Sequence, residues 1–510
     1  MSEYDVVVVG GGTAGAVVAR RLSDDPDRQV CVVEAGPSDV GDDRVLQLGN
    51  WLDLLGSELD FDYATVEQPM GNSYIRHSRA RVLGGCSSHN TAISLRPMPT
   101  DFEGWVAAGA KGWGPDDMRP YGERLLNRFQ PVVAKDHNPL CDAFVRSCHE
   151  ALGVPVVDDF NARPFVEGAG YLPVGYHPES GVRSSSSVSY LHEVFDRANL
   201  TLLLETRALR VESDGGRATG VRVRDAAGTE SFVRLAPGGT LVLSAGAVDT
   251  PRLLLLSGIG PADELRGLGI EPVVDLPGVG EHLLDHPEAL VLWEASRQVP
   301  EPSVMDSDAG LFIRRDESEP VPDLMFHLYM IPFTVNTERL GYAVPEHGFG
   351  MTPNIPRPRS SGRLSLTSAD PDVKPALDFG YLTDPDGYDA RTLVDGVKVS
   401  RQVAAAPPFS DWVAREIAPG PDVTSDADIE TFVRRSHHTV YHPAGTCRMG
   451  QDPLAVVTPD LRLRGLDGVV VADASVFPTM PTVNPMITVF MVGEKAADLV
   501  KGRAPSPAHH

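Results

Sequence analysis

Cysteine is scarce. The 510 residues hold five (Cys31, Cys86, Cys141, Cys148 and Cys447), with no CxxC among them. An odd, scattered set this small excludes a disulfide framework and points to a reducing cytoplasm. Basic residues are in deficit as well: 45 Lys and Arg stand against 70 Asp and Glu, a formal net charge of −25. Such a surface repels phosphate backbones and anionic lipid, so no nucleic acid and no membrane partner is expected; solubility explains the charge, and steering of small cations is its rival. Long charge-free apolar runs are nearly absent. Ala474 to Gly493 is the exception, and Pro478, Pro481, Asn484 and Pro485 within it would break a spanning helix, so it reads as a buried loop and helix. The N-terminus, MSEYDVVVVGGG, has no basic segment ahead of its apolar run, so no secretory signal is expected. His509 and His510 read as a tag remnant or ragged tail. No repeat and no low-complexity linker is evident. What remains is ordinary for a globular chain: 42% apolar and 23% charged residues, with a length that suggests roughly three domain-sized units.

The first residues carry a pattern. YDVVVV (4–9) is a β-branched run suited to a strand buried on both faces. Gly10, Gly12 and Gly15 follow as GxGxxG, and AGAVVARRL (14–22) has helical composition. A second apolar run, QVCVVEAG, carries Glu34, 19 residues after Gly15. The unit reads β-α-β. Its first glycine permits a tight turn, the second lets the backbone approach a pyrophosphate, and the third lets helix pack on strand. Glu34 would accept hydrogen bonds from ribose hydroxyls and disfavours a 2′-phosphate. An adenine dinucleotide is expected; the motif alone does not choose between NAD and FAD.

Further along stand RVLGGCSSHNTA (81–92), GTLVLSAGAVDTPRLLLLSGIGP (239–261), LPGVGEHLLDHPE (276–288), VYHPAGTCRMG (440–450) and the segment 469–499, which opens VVVADASVFP. With these motifs in this order, from Tyr4 to Leu499, the sequence resembles the glucose–methanol–choline family of flavoproteins, its choline-oxidising members above all. The resemblance implies FAD, in a Rossmann-like α/β domain of residues 1–145, 181–287 and 440–510. An antiparallel-sheet substrate domain of residues 146–180 and 288–439 would be interleaved with it. It implies that Gly85 and Asn90 bind the cofactor, that His89 is joined covalently to the flavin ring, that Val211 lines the adenine pocket, and that Asp473 bonds cofactor hydroxyls or phosphate. A helix N-cap is a compatible second role for Asp473.

Oxidising an alcohol needs a base for the hydroxyl proton, a hydride acceptor, and stabilisation of the developing alkoxide. The resemblance places His442 of the YHP motif as base, Asn484 on the substrate oxygen, and His327 as a second histidine holding the hydroxyl. Val440 matches a small apolar position where O2 meets reduced flavin, and Phe333 a gating residue. Glu288 matches a carboxylate facing a trimethylammonium group, with Trp51, Phe61 and Tyr441 lining the same pocket. Two departures matter. The choline-oxidising members carry a pair of tryptophans where Asp306 and Ser307 stand, and a serine where Thr91 stands. A larger, more polar pocket is expected. The expected activity is oxidation of a primary alcohol (choline, an amino alcohol or a short alcohol) to the aldehyde, with O2 reduced to H2O2. The rivals are a flavin dehydrogenase using another acceptor, a broad-range oxidase of uncharged primary alcohols, a non-redox member of the fold, and an NAD enzyme. The partners expected are the alcohol and O2; no metal is expected, and a homodimer is compatible.

Overall fold

The computed structural model describes residues 3–301 and 303–502; His509 and His510 lie outside them. The opening β-branched run forms strand Glu3–Val9, its last four residues buried. Helix Thr13–Leu22 returns the chain to the buried strand Val30–Val33, which pairs with the first in parallel, Val6 opposite Val30 through Val9 opposite Val33. Leu200–Leu203 extends this parallel sheet on one side, and Glu230–Leu243 then Val469–Val471 extend it on the other. Strands far apart in sequence thus converge on one edge. The early part of Glu230–Leu243 also pairs antiparallel with Arg217–Arg224, which pairs in turn with Arg207–Asp214. Helices Thr13–Leu22 and Met486–Lys501 pack together at close range, and Gly493 permits it: a Cβ there would lie 2.9 Å from the Ala14 carbonyl oxygen.

A second sheet has eight strands, every pair antiparallel. Its order runs Val413–Ala418, Val291–Ala295, Gly348–Asn354, Leu324–Tyr329, Ala309–Ile313, Gly168–Tyr171, with the short strands Pro287–Glu288 and His438–Thr439 attached beside Gly348–Asn354. Helices Pro139–Leu152 and Tyr388–Ala404 pack against this sheet. Strand side chains alternate between faces, so Leu324, Phe326 and Leu328 share one face of their strand while His327 and Tyr329 share the other. The second face looks into the cavity described below.

The serine run at 184–187 does not lead into an α-helix. Ser187–Leu191 is a π-helical turn and His192–Val194 a 3-10 turn. The serines are spent on the glycine-rich loop instead: Ser186 N–H donates to Ser87 Oγ at 2.9 Å, and Ser187 Oγ donates to Asp39 at 2.8 Å. Ala474 to Gly493 is a short 3-10 turn, an irregular loop and the start of helix Met486–Lys501. Among the described residues no helix is long and apolar enough to cross a membrane, no group of residues could hold a metal ion, and all five cysteines are unpaired.

Candidate active site

One long cavity runs from the parallel sheet's glycine turn to the inner face of the antiparallel sheet. At the first end Gly10 (φ +97°) passes so close to the next strand that a Cβ would meet Ser244 O at 2.4 Å, and a Cβ on Gly85 (φ +54°) would meet Gly12 Cα at 2.7 Å. Only bare backbone fits there, the condition for backbone amides to approach a pyrophosphate. Gly15 does not line the cavity; a Cβ there would lie 1.9 Å from Gly10 O, so it serves helix–strand packing. Glu34 lines the cavity and accepts from Gly11 N–H and Gly36 N–H, each at 2.8 Å. Burial pushes its carboxyl up to about 7. Asp473 ties two segments together, accepting from Ser475 N–H as an N-cap (2.8 Å) and from Gly246 N–H (2.9 Å) and Thr250 Oγ (2.6 Å). It also lines the cavity.

Val211 is not among the residues that line the cavity. Its side chain lies in the core and its N–H is spent on Ser257 Oγ at 2.8 Å, while Thr206, Arg207 and Ala208 line the cavity.

His89, Asn90 and Thr91 line the middle of the cavity. His89 is buried and held neutral, its pKa lowered to about 4 by desolvation. Its Nε2–H donates to Leu54 O at 3.0 Å, which leaves Nδ1 without that bond. The buried Arg183 guanidinium donates to the backbone carbonyls of Asn90 and Val45, holding this loop from behind.

The reacting end is built on a strained turn. Tyr441 has φ +63°, and Arg79 Nη2 donates to its carbonyl at 2.6 Å. Asp285 fixes the turn from below: it accepts from His442 N–H (2.8 Å), Thr439 Oγ (2.5 Å) and Tyr381 Oη (2.5 Å). The tautomer of His442 follows from its neighbour His286. His286 Nε2 faces two carbonyls, Pro356 O at 2.8 Å and Pro481 O at 3.1 Å, so Nε2 carries the hydrogen. Burial lowers the His286 pKa to about 4, so Nδ1 is an acceptor near neutral pH. His442 Nδ1 lies 2.8 Å from that atom and must donate to it. His442 therefore presents Nε2 as a lone pair, the form a general base requires. Burial holds His442 well below the ordinary histidine range, so it is neutral. His442, Asn484, His327 and Val440 all line the cavity; Asn484 Oδ1 and His327 Nε2 are buried without a protein partner. Such orphaned atoms are costly unless a ligand meets them.

The substrate end is walled by Trp51, Phe61, Tyr441, Tyr329 and Ser307, and Trp51 Nε1–H donates to Asp306 at 3.3 Å. Two residues expected on this wall do not reach it. Phe333 stacks behind on Tyr329, ring centroids 4.9 Å apart, and Glu288 is buried near Tyr329 and Tyr441 with Oε2 unpartnered. Tyr329, which the sequence does not single out, lines the cavity beside them. His286, Asp285 and Arg79 were passed over too; DHP (285–287) inside a quoted motif was the available signal for two of them.

Family models for GMC oxidoreductase match residues 4–288 and 358–493. The chain belongs to the GMC oxidoreductase family. It is 43% identical to choline oxidase of Arthrobacter globiformis, covering 98% of this chain and 94% of that one, and 34% identical to an alcohol dehydrogenase [acceptor] of Pseudomonas putida over 98% and 95%. Pyridoxine 4-oxidase from Mesorbium loti matches in structure with a TM-score of 0.91 at 28% identity, covering 100% of both chains. This GMC oxidoreductase is thus an FAD-dependent enzyme acting on CH–OH groups. The glycine cradle, Glu34 and the orphaned atoms at the reacting end fit FAD.

Proposed function

We propose that this GMC oxidoreductase is a choline-oxidase-like alcohol oxidase, converting a primary alcohol with a cationic or small polar tail to its aldehyde. Residues 1–145, 181–287 and 440–510 would hold the cofactor, and 146–180 and 288–439 would close the substrate end. FAD supplies the hydride acceptor when bound, and O2 is its oxidant. His442 Nε2 takes the hydroxyl proton; the resulting imidazolium keeps its Nδ1–H on His286. Asn484, through its side-chain amide, and His327 Nε2 hold the alkoxide oxygen. Gly10, Gly12, Gly85, Asn90 and Asp473 would orient the cofactor, with His89 joined to it covalently. Trp51, Phe61, Tyr441 and Tyr329 offer aromatic faces to a quaternary ammonium, with Glu288 behind them as counter-charge. Val440, beside the base, leaves apolar room for O2. The observation that carries this reading is the His286–His442 contact, which fixes the base in its accepting form inside a cavity fit for FAD. Five unpaired cysteines suit a reducing cytoplasm.

The test is oxygen consumption and peroxide formation with choline, amino alcohols and uncharged primary alcohols. Oxidation of choline with one H2O2 per aldehyde supports the reading. Rapid dye reduction with negligible oxygen uptake would instead make the protein a dehydrogenase, as the name of the Pseudomonas putida relative suggests.

A further inference from the structure

The Glu288 carboxyl is buried, 1% exposed, and no described Arg or Lys pairs with it. Among the described residues no neighbouring element supplies a counter-charge, and of the neighbours only the Thr352 hydroxyl favours the ionised form. On its paired strand, His438 Nδ1 stands 3.9 Å from Oε1, but that nitrogen's hydrogen is donated to Thr439 O at 2.8 Å. His438 is therefore the Nδ1–H tautomer, and burial holds it neutral to about 4. It supplies neither a charge nor a proton to Glu288. The other paired strand, Gly348–Asn354, carries no titratable side chain. Strand Leu324–Tyr329 presents Tyr329, and the turn after Thr439 presents Tyr441, both neutral phenols. The preceding loop adds Asp285, a second acid, whose influence opposes ionisation. A carboxylate here would be a buried anion without a cation, an arrangement proteins avoid by protonation.

Resting on the proposed recognition of a cationic alcohol, we propose that Glu288, buried behind the tyrosine wall, holds a proton in the resting site and releases it when the substrate's ammonium headgroup binds in the cavity. The step balances without a redox partner: neutral acid plus entering cation gives a carboxylate behind the wall, a cation in the cavity and one proton released to solvent. Burial raises the carboxyl well above its usual range, which agrees with this assignment. An uncharged alcohol leaves the proton where it is. Substrate charge is thus read through a proton, and affinity for cationic alcohols becomes pH-dependent. Below the pKa of Glu288 the ionised fraction rises tenfold per pH unit, so the KM of a cationic alcohol falls by up to about tenfold per unit as pH rises. The KM of a neutral alcohol carries no such term.

The experiment is titration calorimetry of the oxidised holoenzyme in two buffers of different ionisation enthalpy, from pH 5 to 9. Tetramethylammonium chloride is the cation. tert-Butanol, which has the same shape and no hydrogen to lose as hydride, is the neutral probe. Tetramethylammonium is expected to release about one proton at the lower pH values and progressively less as pH rises, while tert-butanol releases none. Glu288→Gln, which replaces a neutral acid by a neutral amide, should keep the flavin spectrum, abolish proton release and weaken tetramethylammonium at least tenfold. Glu288→Asp should retain release at lower affinity, which covers the case in which the Gln variant fails to fold. Tight binding that depends on Glu288 but releases no proton at any pH would overturn the exchange while leaving cation recognition standing. Failure of tetramethylammonium to bind, or equal binding by Glu288→Gln, would sink the cationic-substrate reading and the exchange with it.

Discussion

His286→Ala tests the base directly. In the native site His442 Nδ1–H donates across 2.8 Å to a histidine that is itself neutral above about pH 4. A hydrogen bond between neutral groups contributes about 1 kcal/mol, and one to a charged group about 1.5–3. Protonation of His442 therefore strengthens this bond by about 1–1.5 kcal/mol, which is about one pKa unit. Removing the acceptor should lower the His442 pKa by that amount. Activity requires neutral His442, so the acid limb of the kcat/KM profile should move about one unit towards lower pH. The plateau should fall roughly three- to tenfold, because the base is weaker and its neutral form is no longer locked as the Nδ1–H tautomer. Stability should drop too, by about 1–3 kcal/mol, since Pro356 O and Pro481 O lose their donor. His286→Gln can donate to one of those carbonyls and should recover stability more than rate. The assay is oxygen uptake against pH with a saturable primary alcohol. An acid limb that stays in place or moves upward would refute the assigned tautomers.

Three further outcomes are expected. Acid precipitation should leave the yellow chromophore on the protein and His89→Ala should release it; colour wholly in the wild-type supernatant would rule out a covalent bond. Tyr329→Leu should weaken tetramethylammonium a few-fold to about thirtyfold, the loss of one desolvated cation–π face at about 0.5–2 kcal/mol, and Ser307→Trp should act in the opposite sense; binding titrations read both. The third outcome concerns pH and melting temperature. His89, His286, His327, His437 and His438 have folded pKa values lowered to about 4, so unfolding takes up protons below about pH 6.5 and their stabilisation is lost as pH falls towards 4. Glu34, Asp285 and Asp308, raised to about 7, 6 and 7, act in reverse, losing stability as pH rises through those values. Each such histidine costs about 1.4 kcal/mol of stability per pH unit between about pH 6.5 and 4, and each raised acid opposes it, so His438→Asn should make the melting temperature less sensitive to acidification from pH 6.5 to 4.5 than that of the wild type; calorimetry showing the same pH slope for both would contradict a neutral folded His438.

The parts of this molecule that were legible in the sequence are those whose chemistry is contiguous. The β-branched run, three glycines and Glu34 declare a dinucleotide turn because backbone shape and ribose recognition are local needs. GGCSSHN and YHP work the same way. What was not legible depends on side chains brought together across the fold. His286 and His442 stand 156 residues apart, and the pairing of Pro287–Glu288 with His438–Thr439, the Leu284–Ala444 bridge and Val440 N–H on His286 O bring the two histidines within a hydrogen bond. Val211 illustrates a related limit: a strand's composition does not say which of its residues line a cavity, and here Thr206, Arg207 and Ala208 do. The substrate wall shows the effect at its most consequential. Asp306 and Ser307 read as a missing aromatic face. Yet Met330 N–H donates to Asp306 O at 2.8 Å, which draws the end of strand Leu324–Tyr329 against that segment and sets Tyr329 on the same wall. A loss in the loop before strand Ala309–Ile313 is partly made good by the neighbouring strand Leu324–Tyr329. A cation should therefore bind more tightly than the Ser307 departure alone implies, and the Tyr329 phenol, which no tryptophan offers, adds a polar edge where amino alcohols and short diols can compete.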